Sequence, residues 1–152
     1  MLTSSYSYLL LLLPAAVLAR DDFRTRRVGL VWLAVLGITA VVTAWLTQER
    51  HAMAEHTLCN ALMLLLSGAL LALCLRLCGQ RIVRAAGAGD GMFLLCVTPL
   101  FPPAEYIRFM IACCLAALIW WVCSGRRYRT IPFVGTGGIV LAVWGAIQFL
   151  RL

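Results

Sequence analysis

The sequence predicts an all-α protein of about six membrane-crossing helices, and three observations carry that expectation. Of its 152 residues 63% are hydrophobic and only 12% are charged, about half the charged fraction of a soluble domain. Mean hydropathy is +0.95, and the stretch 58–75 holds no charge at all, which is the length at which an apolar run reads as a transmembrane helix. The arginines gather in short clusters between such runs. Backbone polar groups inside a bilayer must be bonded within the chain, so helices are the expected spanning element. No polar segment is long enough for a soluble domain, and residues 1–152 read as one integral-membrane unit.

The first helix is expected over 2–19. It reads as a retained helix rather than a cleaved signal peptide, because no basic residue precedes it and no A-x-A site follows. A charged loop, 20–27, separates it from a second helix over 28–47. A polar loop, 48–56, leads to a third helix over 57–79. After the basic stretch 80–90, a fourth helix starts near Gly91 and stops at Pro99 or Pro102. It is shorter than the ~20 residues of a full span, and Pro99, Pro102 and Pro103 end it. A fifth helix is expected over 104–123 and a sixth over 131–152.

The arginines set an orientation. Arg20, Arg24, Arg26, Arg27, Arg76, Arg81, Arg84, Arg126, Arg127 and Arg129 fall on one side, against Arg50, Arg108 and Arg151 on the other. The richer side is expected in the cytoplasm, with both termini outside and the chain in the inner (plasma) membrane. This topology explains the net charge of +7 better than nucleic-acid binding does, since no polar domain exists to present a basic surface.

The seven cysteines, Cys59, Cys74, Cys78, Cys96, Cys113, Cys114 and Cys123, form no CxxC pair and read as small apolar packing residues. His51 and His56 share one polar segment without a third ligand, so no metal site is expected. Only six carboxylates are present. Glu49 and Glu55 read as solvated surface charge. Glu105 and Arg108, three apart, read as an interfacial anchor. Asp21 and Asp22 end the first helix and Asp90 opens the fourth, so Asp22 and Asp90 are expected on the same membrane face at similar depth. Acids at a membrane boundary are costly to place and are functional candidates. The plainer alternative is that Asp21 and Asp22 neutralise nearby arginines while Asp90 caps a helix. Gly87 and Gly89 flank the second acid and permit close backbone approach and unusual dihedrals.

These residues carry a resemblance. The Asp22-Phe23-Arg24-Thr25-Arg26-Arg27-Val28 stretch, the G-x-G-D of Gly87, Gly89 and Asp90, and Ile131-Pro132-Phe133 are similar, in order and spacing, to the motifs of prepilin peptidases (type IV leader peptidases). These are polytopic membrane aspartyl proteases. The resemblance covers essentially the whole chain and looks like the short form, without the zinc-binding cysteine loop that accompanies methyltransferase activity. It implies Asp22 and Asp90 as catalytic acids, Gly87, Gly89 and Arg24 as substrate-binding or loop-shaping residues, and no cofactor. It also implies a pilin-like precursor as substrate, cut at the cytoplasmic membrane face. Asp22 rather than Asp21 keeps the family spacing to Arg24 and Arg26. The chain departs from the family pattern at Gly29-Leu30, where Pro-Asn is usual, and at Met92, where a lysine is usual. The rival expectation is a non-enzymatic membrane protein: a small transporter, an assembly subunit or an inactive peptidase homologue.

Overall fold

A computed structural model of the chain describes residues 7–25, 28–79, 87–124 and 131–150. Among these residues the protein is helical, with no strand. The helices are α1 (Leu9–Thr25), α2 (Leu30–Thr47), α3 (Arg50–Leu77), α4 (Ala88–Cys96), α5 (Pro103–Cys123) and α6 (Phe133–Leu150), with a 3-10 turn at Thr98–Leu100. Three of them, α2, α3 and α5, are long and apolar enough to cross a membrane. The shorter apolar helices pack among them, an arrangement suited to a helical membrane protein.

The exposure pattern is inverted relative to a water-soluble fold. Of the apolar stretch of α3 only 6% is buried, and Leu58, Leu62, Leu65, Leu66, Leu70 and Leu73 are all exposed. A contiguous apolar surface of this extent is unfavourable against water and is the normal condition against lipid. The interior is a narrower seam. Leu11, Ala15 and Leu18 on α1, and Leu33, Leu36 and Ala40 on α2, recur at helical spacing and are buried. They meet Phe93 of α4 and Val97 just after it, Phe109 and Cys113 of α5, and Val134 and Leu141 of α6.

Small residues let α1 and α6 approach closely, as in membrane helix pairs generally. A Cβ added at Gly138 would stand 2.9 Å from the Ala15 carbonyl oxygen, and one at Gly137 would stand 2.8 Å from Phe93 Cε1. The backbones fit only because residues 137 and 138 lack side chains.

The chain breaks its helical order between α4 and α5, where prolines forbid a continuous helix. The carbonyls this frees are bonded by two amide side chains. Asn60 Nδ2 donates to the carbonyls of Thr98 and Phe101, both at 2.8 Å. Gln48 Nε2 donates to those of Pro99 and Leu100, both at 3.1 Å. His56 Nδ1 lies 3.0 Å from Gln48 Oε1, and the Tyr106 hydroxyl donates to the Leu94 carbonyl at 3.0 Å. Each unbonded buried carbonyl would cost about 1–3 kcal/mol, so these side chains are what permits an irregular segment here.

The element bounds differ from the sequence expectation at several places. Helix α1 runs to Thr25 rather than ending at 19, so Arg20, Asp21, Asp22 and Arg24 are helical; residues 1–6 lie outside the described residues. Tertiary packing extends it: the Phe23 ring meets Trp120 of α5 at 5.8 Å between centroids. The polar loop 48–56 shrinks to Gln48 and Glu49, and both histidines belong to α3. Helix α4 begins at Ala88, with Gly87 as its N-cap, so Gly89 and Asp90 are helical. Helix α6 starts at Phe133, after Pro132. The cysteines divide: Cys113 is buried in the core and Cys96 half-buried, but Cys59, Cys74, Cys78, Cys114 and Cys123 are exposed.

Gly138→Ala tests the α1–α6 seam. In an exposed helix this change is stabilising by about 1 kcal/mol; here overpacking should cost about 1–3 kcal/mol instead. A lowered Tm in detergent is expected, and an unchanged or raised Tm would show that the Ala15 backbone yields.

Candidate active site

Three helix ends meet on one face of the bundle: the last turn of α1 and the first turns of α4 and α6. The Asp22 carboxylate is 6% exposed and its Oδ2 accepts a hydrogen bond of 2.7 Å from the backbone N–H of Gly135. That amide lies in the first turn of α6, where N–H groups have no acceptor within their own helix. A carboxylate there gains a short charge-assisted bond and the favourable end of the helix dipole.

Asp90 sits in the first turn of α4, a nine-residue helix well short of the ~20 residues of a span. Its Oδ2 accepts the Gly87 N–H at 3.2 Å, and its own N–H donates to the Gly87 carbonyl at 3.1 Å. The acid thus helps to cap the helix that carries it. Burial pushes the Asp90 carboxyl above its ordinary value, the Gly87 N–H opposes this, and the negative charge of Asp22 adds to the rise. The two carboxylates therefore lie close enough to act on each other, which is how paired acids come to differ in proton affinity.

The glycines expected around the second acid provide room rather than unusual dihedrals. Gly87 has φ −75° and ψ 140°, values open to any residue. A Cβ at Gly89 would stand 3.1 Å from Val28 Cγ2, and one at Gly87 would stand 3.2 Å from Asp90 Oδ2. Gly89 thus lets α4 lean on the start of α2, and Gly87 clears space for the acid.

Asp22 and Asp90, far apart in sequence, share one end of the bundle. Asp21, one position round α1, is half-buried, and its carbonyl accepts the Thr25 hydroxyl at 2.9 Å. Arg24 is exposed on the last turn of α1, and no described contact ties it to the pair. Met92 is exposed at 48%. Sequence reasoning missed Gly135; the signal was the Gly135-Thr136-Gly137-Gly138 run just after Ile131-Pro132-Phe133. Arg26, Arg27, Arg81, Arg84, Arg126, Arg127 and Arg129 belong to segments outside the described residues.

Among the described residues no group of three or more His, Cys, Asp or Glu could hold a metal ion. A cavity of about 390 Å³ opens at the opposite end of the bundle, lined by Tyr8, Glu49, His56, Glu105, Trp144 and Gln148 among others. A second, apolar one of about 390 Å³ lies between α3 and α5. Neither touches the aspartates.

The raised proton affinity of Asp90 fixes the sign of a pH effect. Ionising it costs more in the folded protein than in the unfolded chain. Stability is therefore fully present below the ordinary value near 3.8 and falls as pH rises through the raised folded value. Asp90→Asn cannot ionise, so its Tm relative to wild type should climb as pH is raised from about 4 to 7. A pH-independent difference would show that Asp90 is solvated like an ordinary surface acid.

Compared with known proteins, the chain matches no protein-family model, no curated protein and no solved structure.

Proposed function

We propose that the protein is an aspartyl endopeptidase of the membrane that cuts a pilin-like precursor at the cytoplasmic membrane face. The observation that carries the proposal is the meeting of Asp22 and Asp90 at one end of a bundle of apolar helices, close enough for one charge to act on the other. Two neighbouring carboxylates do not both ionise easily, so one holds a proton while the other does not. The ionised acid takes a proton from a water as general base. The protonated acid polarises the scissile carbonyl, and a proton passes to the leaving amine. The substrate class, a short basic leader followed by an apolar helix, comes from the resemblance of the Asp22–Val28, Gly87–Asp90 and Ile131–Phe133 motifs to prepilin peptidases. In this reading the apolar helices lie in the inner membrane, with α4 and the turn after it forming a short element rather than a full span, both termini outside, and the arginine-rich connections facing the cytoplasm.

One observation favours a second reading. Each aspartate bonds a helix-terminal amide, Asp22 that of Gly135 and Asp90 that of Gly87. Both acids could then serve as caps in a non-enzymatic membrane protein, such as an assembly subunit or an inactive peptidase homologue.

Cleavage of a pilin-like precursor by purified protein in lipid separates the two. Asp22→Asn and Asp90→Asn should each lower kcat by about 10²-fold or more while the protein stays folded, since general acid–base groups contribute on that order. If either variant cuts at the wild-type rate, that residue is no catalytic acid. If the wild type cuts no precursor while both variants lose thermal stability, the capping reading prevails.

A further inference from the structure

Taking Asp22 and Asp90 as a catalytic pair, the structure also bears on which acid does what. The two are held by helix-terminal amides, but unequally. Asp22 is buried, and its amide partner stands at 2.7 Å in the first turn of the eighteen-residue α6. Asp90 is half-buried, and its partner, the exposed Gly87, stands at 3.2 Å ahead of a nine-residue helix. The shorter bond from the longer helix favours negative charge on Asp22. Residue 135 must be small for this. A Cβ there would lie 2.9 Å from Phe23 Cε2 and 3.3 Å from Asp22 Oδ2, and the Phe23 ring packs against Trp120.

We propose that Gly135 is a positioning residue: its N–H fixes Asp22 Oδ2 and keeps Asp22 the ionised base, leaving Asp90 to carry the proton. Asp22 then takes a proton from the attacking water as its oxygen bonds the scissile carbon, while Asp90 gives its proton to the carbonyl oxygen. When the C–N bond breaks, the proton on Asp22 leaves with the amine. Asp90 recovers its own from the intermediate's hydroxyl, so both acids return to their starting states. The charged and titratable described residues on the helix ends around the pair are Arg20, Asp21 and Arg24 on α1, Cys74 and Arg76 near the end of α3, and Cys123 at the end of α5. The first turns of α2 and α6 carry none. Arg20, Arg24, Cys74, Arg76 and Cys123 are exposed and Asp21 is half-buried, and the Gly135 amide is a described contact made by Asp22.

The chain has only three aspartates, Asp21, Asp22 and Asp90, so protein labelled with ¹³C at aspartate carboxyls and ¹⁵N at glycine gives a readable titration in lipid. Asp→Asn at each position assigns the signals. Asp22 is expected to ionise at lower pH than Asp90, and Gly135→Ala should move the Asp22 midpoint upward. Gly138→Ala, which presses on Ala15 in the same seam, should leave that midpoint in place. In the cleavage assay Gly135→Ala should shift the acidic limb of kcat to higher pH, with KM within about threefold. The proposal is overturned if Asp90 ionises first, if Gly135→Ala leaves the Asp22 midpoint unmoved, or if Gly138→Ala moves it equally. Should Gly135→Ala fail to fold, the wild-type order of ionisation still decides. So does the Gly135 amide shift, expected to change in Asp22→Asn more than in Asp90→Asn. None of these resonances needs a substrate, so absence of cleavage would count against the peptidase reading alone.

Discussion

The hydrogen bond from the Gly135 amide to the Asp22 carboxylate is the contact on which the rest of the candidate site depends. It joins the end of the first helix to the start of the last, and it does so at a buried charge. A buried carboxylate without partners is costly, so this end of the bundle is organised around supplying one. The small residues of α6 belong to the same solution. Gly135 admits the carboxylate and the Phe23 ring, Gly137 admits Phe93, and Gly138 admits the backbone of α1. Of the three, only a side chain at 135 would meet the carboxylate itself and lengthen the bond.

A second constraint acts at the opposite end. The chain leaves helical geometry at Thr98–Leu100, and a low-dielectric surrounding makes each freed carbonyl expensive. Asn60 and Gln48 bond four of them, and the 3-10 turn is thereby locked against α2 and α3. This sets where α4 lies. Its far end is fixed by the turn, and its near end leans on Val28 through Gly89. Asp90 is carried on that near end and so arrives at the same end of the bundle as Asp22, within reach of its charge. Two polar devices at opposite ends of a mostly apolar bundle thus cooperate to bring two acids together.

The arrangement gives both acids a structural duty as well as a chemical opportunity. A carboxylate at a helix N-terminus is stabilised in its charged form, which suits Asp22 as a base. A half-buried acid next to a like charge binds its proton more firmly, which suits Asp90 as an acid. Capping and catalysis are therefore compatible uses of the same geometry, and the shared ends of α1, α4 and α6 supply both.

Much of this was legible in the residues. Uncharged runs such as 58–75 dictate helices because the backbone has no other partner in lipid. Pro99, Pro102 and Pro103 dictate the break, because proline lacks an N–H and excludes the helical ring geometry. The scarcity of acids drew attention to Asp22 and Asp90. What the sequence could not determine depended on contacts between distant segments. The helical state of residues 20–25 was hidden because charged residues read locally as a loop, whereas Phe23 packing and the bond to Gly135 hold them helical. Nothing local marks Asn60 and Gln48, because the carbonyls that their amides bond lie some 40 to 50 positions away. In the sequence Gly135 is one small residue among several. Its amide matters only because helix packing turns it toward a carboxylate 113 residues earlier in the chain. Local composition and spacing determined the helices and the candidate acids; only the tertiary structure decided which amide holds which acid, because that depends on the close approach of helix ends that no local pattern encodes.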